Sequence, residues 1–262
     1  MRSRPAASFS FLFSFLLTTA LTACGPSPGT LATLAPRTPA GSESFTPVFS
    51  QPGIPAPLDL KTESGDPLQA RLWRTETSLS RIDGQVGILF VSGNVDDPFV
   101  EPVDGIYGRI ANAYAERGVV SLFINYRSAG NLEPSLADAK AGADYLRKIG
   151  IRRMALVGWS FGGAVITTLA PQVPEVVTVV GISAQSRDTE PVANFSRQSL
   201  LLLHSQEDDN VPFMAAGQIL DEAPTTIHKE LHAFEMGDHY LTGMADLVDP
   251  IVKSWLETEL RL

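Results

Sequence analysis

From residue 68 onward the hydrophobic positions switch between two periods. Residues 68–74 alternate apolar and polar side chains, which suits an edge strand with one buried face. Residues 86–91 form an unbroken apolar run, as in a parallel strand buried on both faces. Residues 106–117 suit a helix closed by Gly118, and 119–124 predict another buried strand. The next helix is expected with Ser135 as its cap, between Pro134 and, three residues on, Asp138. Leu136, Ala139, Ala143 and Leu146 would form its inner face and Gly150 its end. Residues 154–157 and 164–169 predict a strand and a helix around a tight turn. Strands at 176–182, 200–204 and 229–234 follow, then a last helix near 250–260. Strand and helix alternating in this way predict an α/β domain built on a doubly wound, mostly parallel sheet.

The N-terminal pattern is different. Arg2 and Arg4 precede an apolar stretch over 9–23, rich in Phe and Leu, which has the layout of an export signal. It is shorter than the roughly 20 residues a spanning helix needs. It ends Leu21-Thr22-Ala23-Cys24, which resembles the lipobox of bacterial lipoproteins. That resemblance implies a signal over 1–23, a diacylated Cys24 as the mature N-terminus, and a lipid-anchored place in the bacterial cell envelope, outside the cytoplasm. Cys24 is the only cysteine, so no intramolecular disulfide can form. The plainer alternative is cleavage near Ala23 that leaves Cys24 a free thiol. Residues 24–57 are then expected to be a tether. The stretch 25–57 holds eight of the 19 prolines and only two charged residues, Arg37 and Glu43, too little to order itself by burial. The folded domain is expected over 58–262.

Composition narrows the partners. The net charge of −9 and the absence of a basic stripe argue against nucleic acid. With 44% hydrophobic residues the chain can bury a sizeable core. No phosphate-binding glycine loop and no metal-ligand spacing is present, so neither cofactor nor metal is expected. Asp96, Asp97, Glu101 and Asp104 read as a solvated face.

Three segments carry candidate chemistry. Gly158-Trp159-Ser160-Phe161-Gly162 lies between a predicted strand and helix, the setting of a nucleophile elbow, where flanking positions must be small. His204-Ser205-Gln206-Glu207-Asp208-Asp209-Asn210-Val211-Pro212 follows a predicted strand, and Met236-Gly237-Asp238-His239-Tyr240 follows the last one. Together these motifs resemble the α/β-hydrolase fold, nearest to the capless dienelactone-hydrolase-like branch. The likeness runs from about Leu68 to the C-terminus.

The resemblance implies a serine hydrolase, with Ser160 as nucleophile, Asp208 as the acid and His239 as the base, in the family's chain order. The second segment matches the family's His-Gly-x-x-Asp-x-x-Val-Pro except that Ser205 replaces glycine. Glu207 and Asp209 are the alternative acids, and His232 the alternative base. One oxyanion-hole amide would come from Phe161. The other falls on Asn94 in Ser92-Gly93-Asn94, with Val95 as the alternative. Trp159 reads as core and Arg127 as structural; Phe99, 187–195 and 213–214 are the guesses for pocket walls. Only a short connection separates residues 182 and 200, so no cap domain is expected and the site would be open. These features imply a carboxylic ester of small or soluble type, with thioester, amide or acyl transfer within the same chemistry. The alternative is an envelope lipoprotein that keeps the fold for binding and is catalytically silent.

Overall fold

The computed structural model describes residues 48–80 and 85–262. The expected export signal, Cys24 and most of the expected tether lie outside the described residues.

Eight strands form one sheet in the order β1-β2-β4-β3-β5-β6-β7-β8. They are β1 (Ala56–Lys61), β2 (Pro67–Trp73), β3 (Gln85–Val91), β4 (Val120–Ile124), β5 (Ile151–Trp159), β6 (Val176–Ile182), β7 (Ser199–Ser205) and β8 (Lys229–Phe234). The β1–β2 and β2–β4 pairings are antiparallel and every other pairing is parallel. The helices are α1 (Thr77–Ser80), α2 (Ile106–Ala115), α3 (Leu132–Lys148), α4 (Phe161–Leu169), α5 (Met214–Glu222) and α6 (Ala245–Leu260).

The apolar runs of the central strands are buried on both faces, as their composition requires. Ile88 and Phe90 of β3 and Ala155, Val157 and Trp159 of β5 pack with α2 and α6. The intervening Leu89, Val91, Met154 and Leu156 pack with α3, α4 and α5 on the opposite face. Because side chains alternate along a strand, each central strand supplies both layers of core. The chain leaves β3 toward β4 on one side and returns to β5 on the other. The ends of β3 and β5 therefore flank a switch point, where open α/β sheets place their ligands.

Several boundaries differ from the sequence expectation. β1 starts at Ala56 and Val48 packs on the core, although the proline content placed both in the tether. Pro57 is tolerated because β1 is an edge strand, where a missing N–H costs no ladder bond. α3 starts three residues before Ser135, at Leu132 after the N-cap Asn131. Pro134 then sits in the first turn, where N–H groups have no helical acceptor. Ser135 donates instead to the Ser128 carbonyl at 3.1 Å. α6 starts at Ala245 and carries Pro250 within it. Burial of Val248 and the two bonds from Arg109 to Asp249, 2.8 Å each, hold the turn ahead of that proline. α5 was not expected at all.

The connection from β6 to β7 spans residues 183–198 and contains one short 3₁₀ segment, Glu190–Asn194, with no cap domain. Among the described residues no helix is long and apolar enough to cross a membrane.

Candidate active site

Ser160 stands at the junction of β5 and α4 with φ 55° and ψ −120°, outside the backbone regions that L-residues favour. Close packing imposes that conformation. A Cβ on Gly158 would lie 2.5 Å from the Gly162 carbonyl oxygen, and one on Gly162 would lie 2.4 Å from the Ser92 carbonyl oxygen. Ser160 N–H donates to the Ile182 carbonyl at the end of β6, and its own carbonyl accepts from Gly163 N–H (2.9 Å) and Gln185 N–H (3.2 Å). The turn is thus held between the exits of β3 and β6.

The three predicted residues meet. Ser160 Oγ lies 2.8 Å from His239 Nε2, and His239 Nδ1 lies 2.8 Å from Asp208 Oδ2 and 3.1 Å from Oδ1. With the proton on Nδ1 donated to Asp208, Nε2 is free to accept from the serine hydroxyl. Asp208 Oδ1 also accepts the backbone N–H groups of Asn210 (2.9 Å) and Val211 (2.8 Å), which fix the carboxylate. Glu207 and Asp209 are exposed, and His232 pairs with Glu230 on β8.

The histidine loop is tied down from two directions. Trp159 Nε1–H donates to the His239 carbonyl at 3.0 Å, and its ring packs on Tyr240 at 4.3 Å between centroids. Val103 N–H donates to the Tyr240 carbonyl at 2.8 Å, and Gly243 N–H to Asp104 Oδ2 at 2.8 Å. Val103 has φ 52°, a strained value for a β-branched residue. Arg109 holds that bend by donating to the Val103 and Asp104 carbonyls, 2.6 Å each, while also gripping Asp249 of α6.

The loop after β3 runs across the serine. A Cβ on Gly93 would be 2.8 Å from the Trp159 ring and 3.2 Å from Ser160 Cβ. Asn94 and Val95 both line the cleft beside Ser160, so both alternatives for the second amide sit at the site. Phe161 opens α4, where first-turn N–H groups have no acceptor within the helix. Its side chain is buried and packs edge-on against Tyr126 at 6.0 Å, so only its backbone faces the question of catalysis. Trp159 is core, and Arg127 is ion-paired with buried Asp138 at 2.6 Å.

The cleft has a volume of about 330 Å³. Gln185, Asn210, Val211 and Tyr240 complete its wall, and none of these was anticipated. Phe99 instead packs on Phe123 at 5.3 Å, and Phe195 is buried in the core. Asn210 had one legible signal, its place two residues beyond the acid. Gln185 had none, because its position depends on where β6 ends beside Ser160.

His204, the first residue of the second motif, has a structural place. It is buried at the end of β7, with Nε2 2.9 Å from the Val211 carbonyl and 3.3 Å from Asp208 Oδ2. Nε2–H therefore donates, while Nδ1 is buried without a hydrogen bond. Burial holds the imidazole below its ordinary value of 6.5, outweighing the opposite pull of the Val211 carbonyl and Asp208.

No family model matches the sequence, and no curated protein does. Solved structures do match. The esterase domain of a Rhodothermus marinus protein aligns with a TM-score of 0.60 at 20% identity, over 78% of this chain and 98% of its own. A putative α/β hydrolase from Agrobacterium tumefaciens aligns with a TM-score of 0.63 at 17% identity, over 79% and 97%. A serine hydrolase without lid from Xanthomonas campestris aligns with a TM-score of 0.54 at 17% identity, over 81% and 96%. The chain has the α/β-hydrolase fold.

Two predictions follow from the geometry. The backbone strain at Ser160 is of the order of 1–3 kcal/mol. Glycine relieves it at an entropic cost of about 0.4–1 kcal/mol. Ser160→Gly should therefore melt about 2–4 °C above Ser160→Ala, the shift for ~1 kcal/mol in a domain of this size. Equal melting temperatures, or a lower one for glycine, would show the turn to be unstrained. For His204 the folded pKa lies below the unfolded one, so its contribution to stability is present above pH ~6.5 and is lost as the pH falls below that value. Urea unfolding of wild type between pH 7 and 5 should show a slope steeper than that of His204→Gln by up to ~1.4 kcal/mol per pH unit. Parallel slopes would mean that His204 takes up its proton equally in both states.

Proposed function

We propose that this protein is a serine hydrolase that cleaves carboxylic esters through an acyl-enzyme. The observation that carries the reading is the continuous series Ser160–His239–Asp208, linked at 2.8 Å and 2.8 Å, on a tight turn that opens into a cleft. A serine hydroxyl is a weak nucleophile at neutral pH and needs a base within hydrogen-bond reach. His239 Nε2 takes the proton as Oγ attacks the carbonyl carbon. Asp208 keeps the imidazole in the productive tautomer and stabilises the imidazolium. The N–H groups of Phe161 and Asn94 hold the oxyanion, and each such donor is worth ~3–4 kcal/mol in the transition state. The tetrahedral adduct collapses, the carbon–alkoxy bond breaks, and the alcohol leaves with the proton from Nε2. His239 then deprotonates a water that attacks the acyl carbon, releasing the acid and restoring Ser160.

Ester is the class we propose; a thioester, amide or peptide carbonyl would meet the same Ser160, Asp208 and His239 chemistry. The connection of residues 183–198 supplies no cap, so the cleft is open to small soluble substrates. The fold by itself does not choose a substrate, but an esterase domain among the matching structures accords with this reading.

We also propose that the mature chain is held at the bacterial cell envelope by a lipidated Cys24, on the strength of Leu21-Thr22-Ala23-Cys24 after an apolar export segment. Two or more acyl chains give stable attachment.

Labelling by a fluorophosphonate probe tests the chemistry. Wild type should label at Ser160, and both Ser160→Ala and His239→Ala should lose labelling and about 10⁴-fold or more in kcat. A folded wild type that does not label would leave the fold serving binding alone. Mass spectrometry of the mature N-terminus tests the anchor. A diacylated Cys24, absent from Cys24→Ser, is expected; an unmodified Cys24 thiol would remove the anchor.

A further inference from the structure

The cleft around Ser160 has an unusual lining. Small-molecule sites are mostly walled by apolar and aromatic side chains with few polar groups. Here three residues with carboxamide side chains line the cleft from three separate connections: Asn94 after β3, Gln185 after β6, whose Nε2 also donates to the Arg187 carbonyl at 3.2 Å, and Asn210 after β7. Aliphatic surface comes only from Val95 and Val211. No Asp, Glu, Lys or Arg lines the cleft among the described residues.

Each of these facts excludes a class of ligand. A carboxylate, phosphate or ammonium on the substrate would meet no opposite charge in the cleft. A long acyl chain would find two valines and would leave most of its methylenes in water. A carboxamide carries both donors and acceptors, as does a hydroxyl, so a set of three satisfies hydroxyl groups in either sense. The Asn94 carboxamide packs against Gly130. Gly130 has φ +82°, and a Cβ there would lie 2.5 Å from Asn94 Oδ1, so bare backbone makes room for the carboxamide. Tyr240 is 37% exposed and presents an aromatic face at the edge of the cleft, backed by Trp159. Such a ring offers an apolar body with a polar tip.

We infer that the ester joins a short acyl group to a neutral polyhydroxylated alcohol, a sugar or polyol. This rests on the hydrolase reading above and adds the substrate's chemistry to it. The Ser160 Oγ–acyl bond forms as the bond from acyl carbon to sugar oxygen breaks, and the sugar leaves as its free alcohol with the proton from His239. The carboxamides hold the hydroxyls that do not react.

The experiment uses the full chain and four esters: a methyl glucoside monoacetate, cyclohexyl acetate, p-nitrophenyl acetate and p-nitrophenyl octanoate. Two hydrogen bonds of ordinary strength correspond to about 100-fold. Wild type should therefore favour the glucoside acetate over cyclohexyl acetate by about that factor in kcat/KM, and p-nitrophenyl acetate over the octanoate. Gln185→Ala and Asn210→Ala should each lower the glucoside-to-cyclohexyl ratio about 5–10-fold, mainly through KM for the glucoside. Equal turnover of the two aliphatic acetates, a preference for octanoate, or an unchanged ratio in both variants would overturn the substrate class and leave the hydrolase intact. No turnover of any ester, together with no fluorophosphonate labelling, would remove the hydrolase reading itself.

Discussion

The turn between β5 and α4 is squeezed between two other strand exits, and much of the molecule's upper surface is arranged around that squeeze. Gly158 and Gly162 almost touch, Gly162 lies against the Ser92 carbonyl, and Gly163 lies against Ala184. No side chain larger than hydrogen fits at those three contacts without moving backbone. Ser160 is left with a positive φ because its neighbours occupy the space that a relaxed turn would need. The same contacts bring the connections after β3 and β6 to the serine, so one packing constraint builds the position of Ser160 and two sides of its cleft.

A second set of forces positions His239. His239 lies in a connection outside the helices and strands, and that loop is fixed by backbone and side-chain hydrogen bonds to Trp159 at the end of β5 and to Val103 and Asp104. The strained Val103 is part of this frame. Arg109 spans from its carbonyl to Asp249 of α6, and so ties α2, α6 and the histidine loop together. Strain at Ser160 and at Val103 persists because packing and hydrogen bonds around each leave no other arrangement. Asp208 is held more simply, by two backbone N–H groups of its own turn and by buried His204.

Electrostatically the site is economical. Among the described residues the charged group linked to His239 is Asp208, whose side chain is fully buried. The cleft itself is neutral and polar, although the chain as a whole has a net charge of −9. The overall charge therefore says little about the substrate, and the carboxamides say more.

The sheet strands were legible because their apolar runs are long and continuous; β3, β5, β6 and β7 are buried on both faces and cannot be written otherwise. The Gly-x-Ser-x-Gly turn was legible because close packing demands glycine on both sides of the serine. The spacing of His204, Asp208, Val211 and Pro212 singled out Asp208 through its resemblance to the family motif. β1, α5 and the early starts of α3 and α6 were not legible. Proline disguised three of them: local propensity argues against Pro57, Pro134 and Pro250, but an edge strand, a first turn and a well-buried helix each tolerate the missing N–H. The cleft wall was decided only by the tertiary structure. Gln185, Asn210 and Tyr240 belong to connections far apart in sequence, and what brings them together is the parallel sheet, which delivers the carboxyl ends of β6, β7 and β8 to one edge. A sequence encodes the strands that must be buried; which loop residues then face one another depends on strand order and register, and these exist only once the sheet has formed.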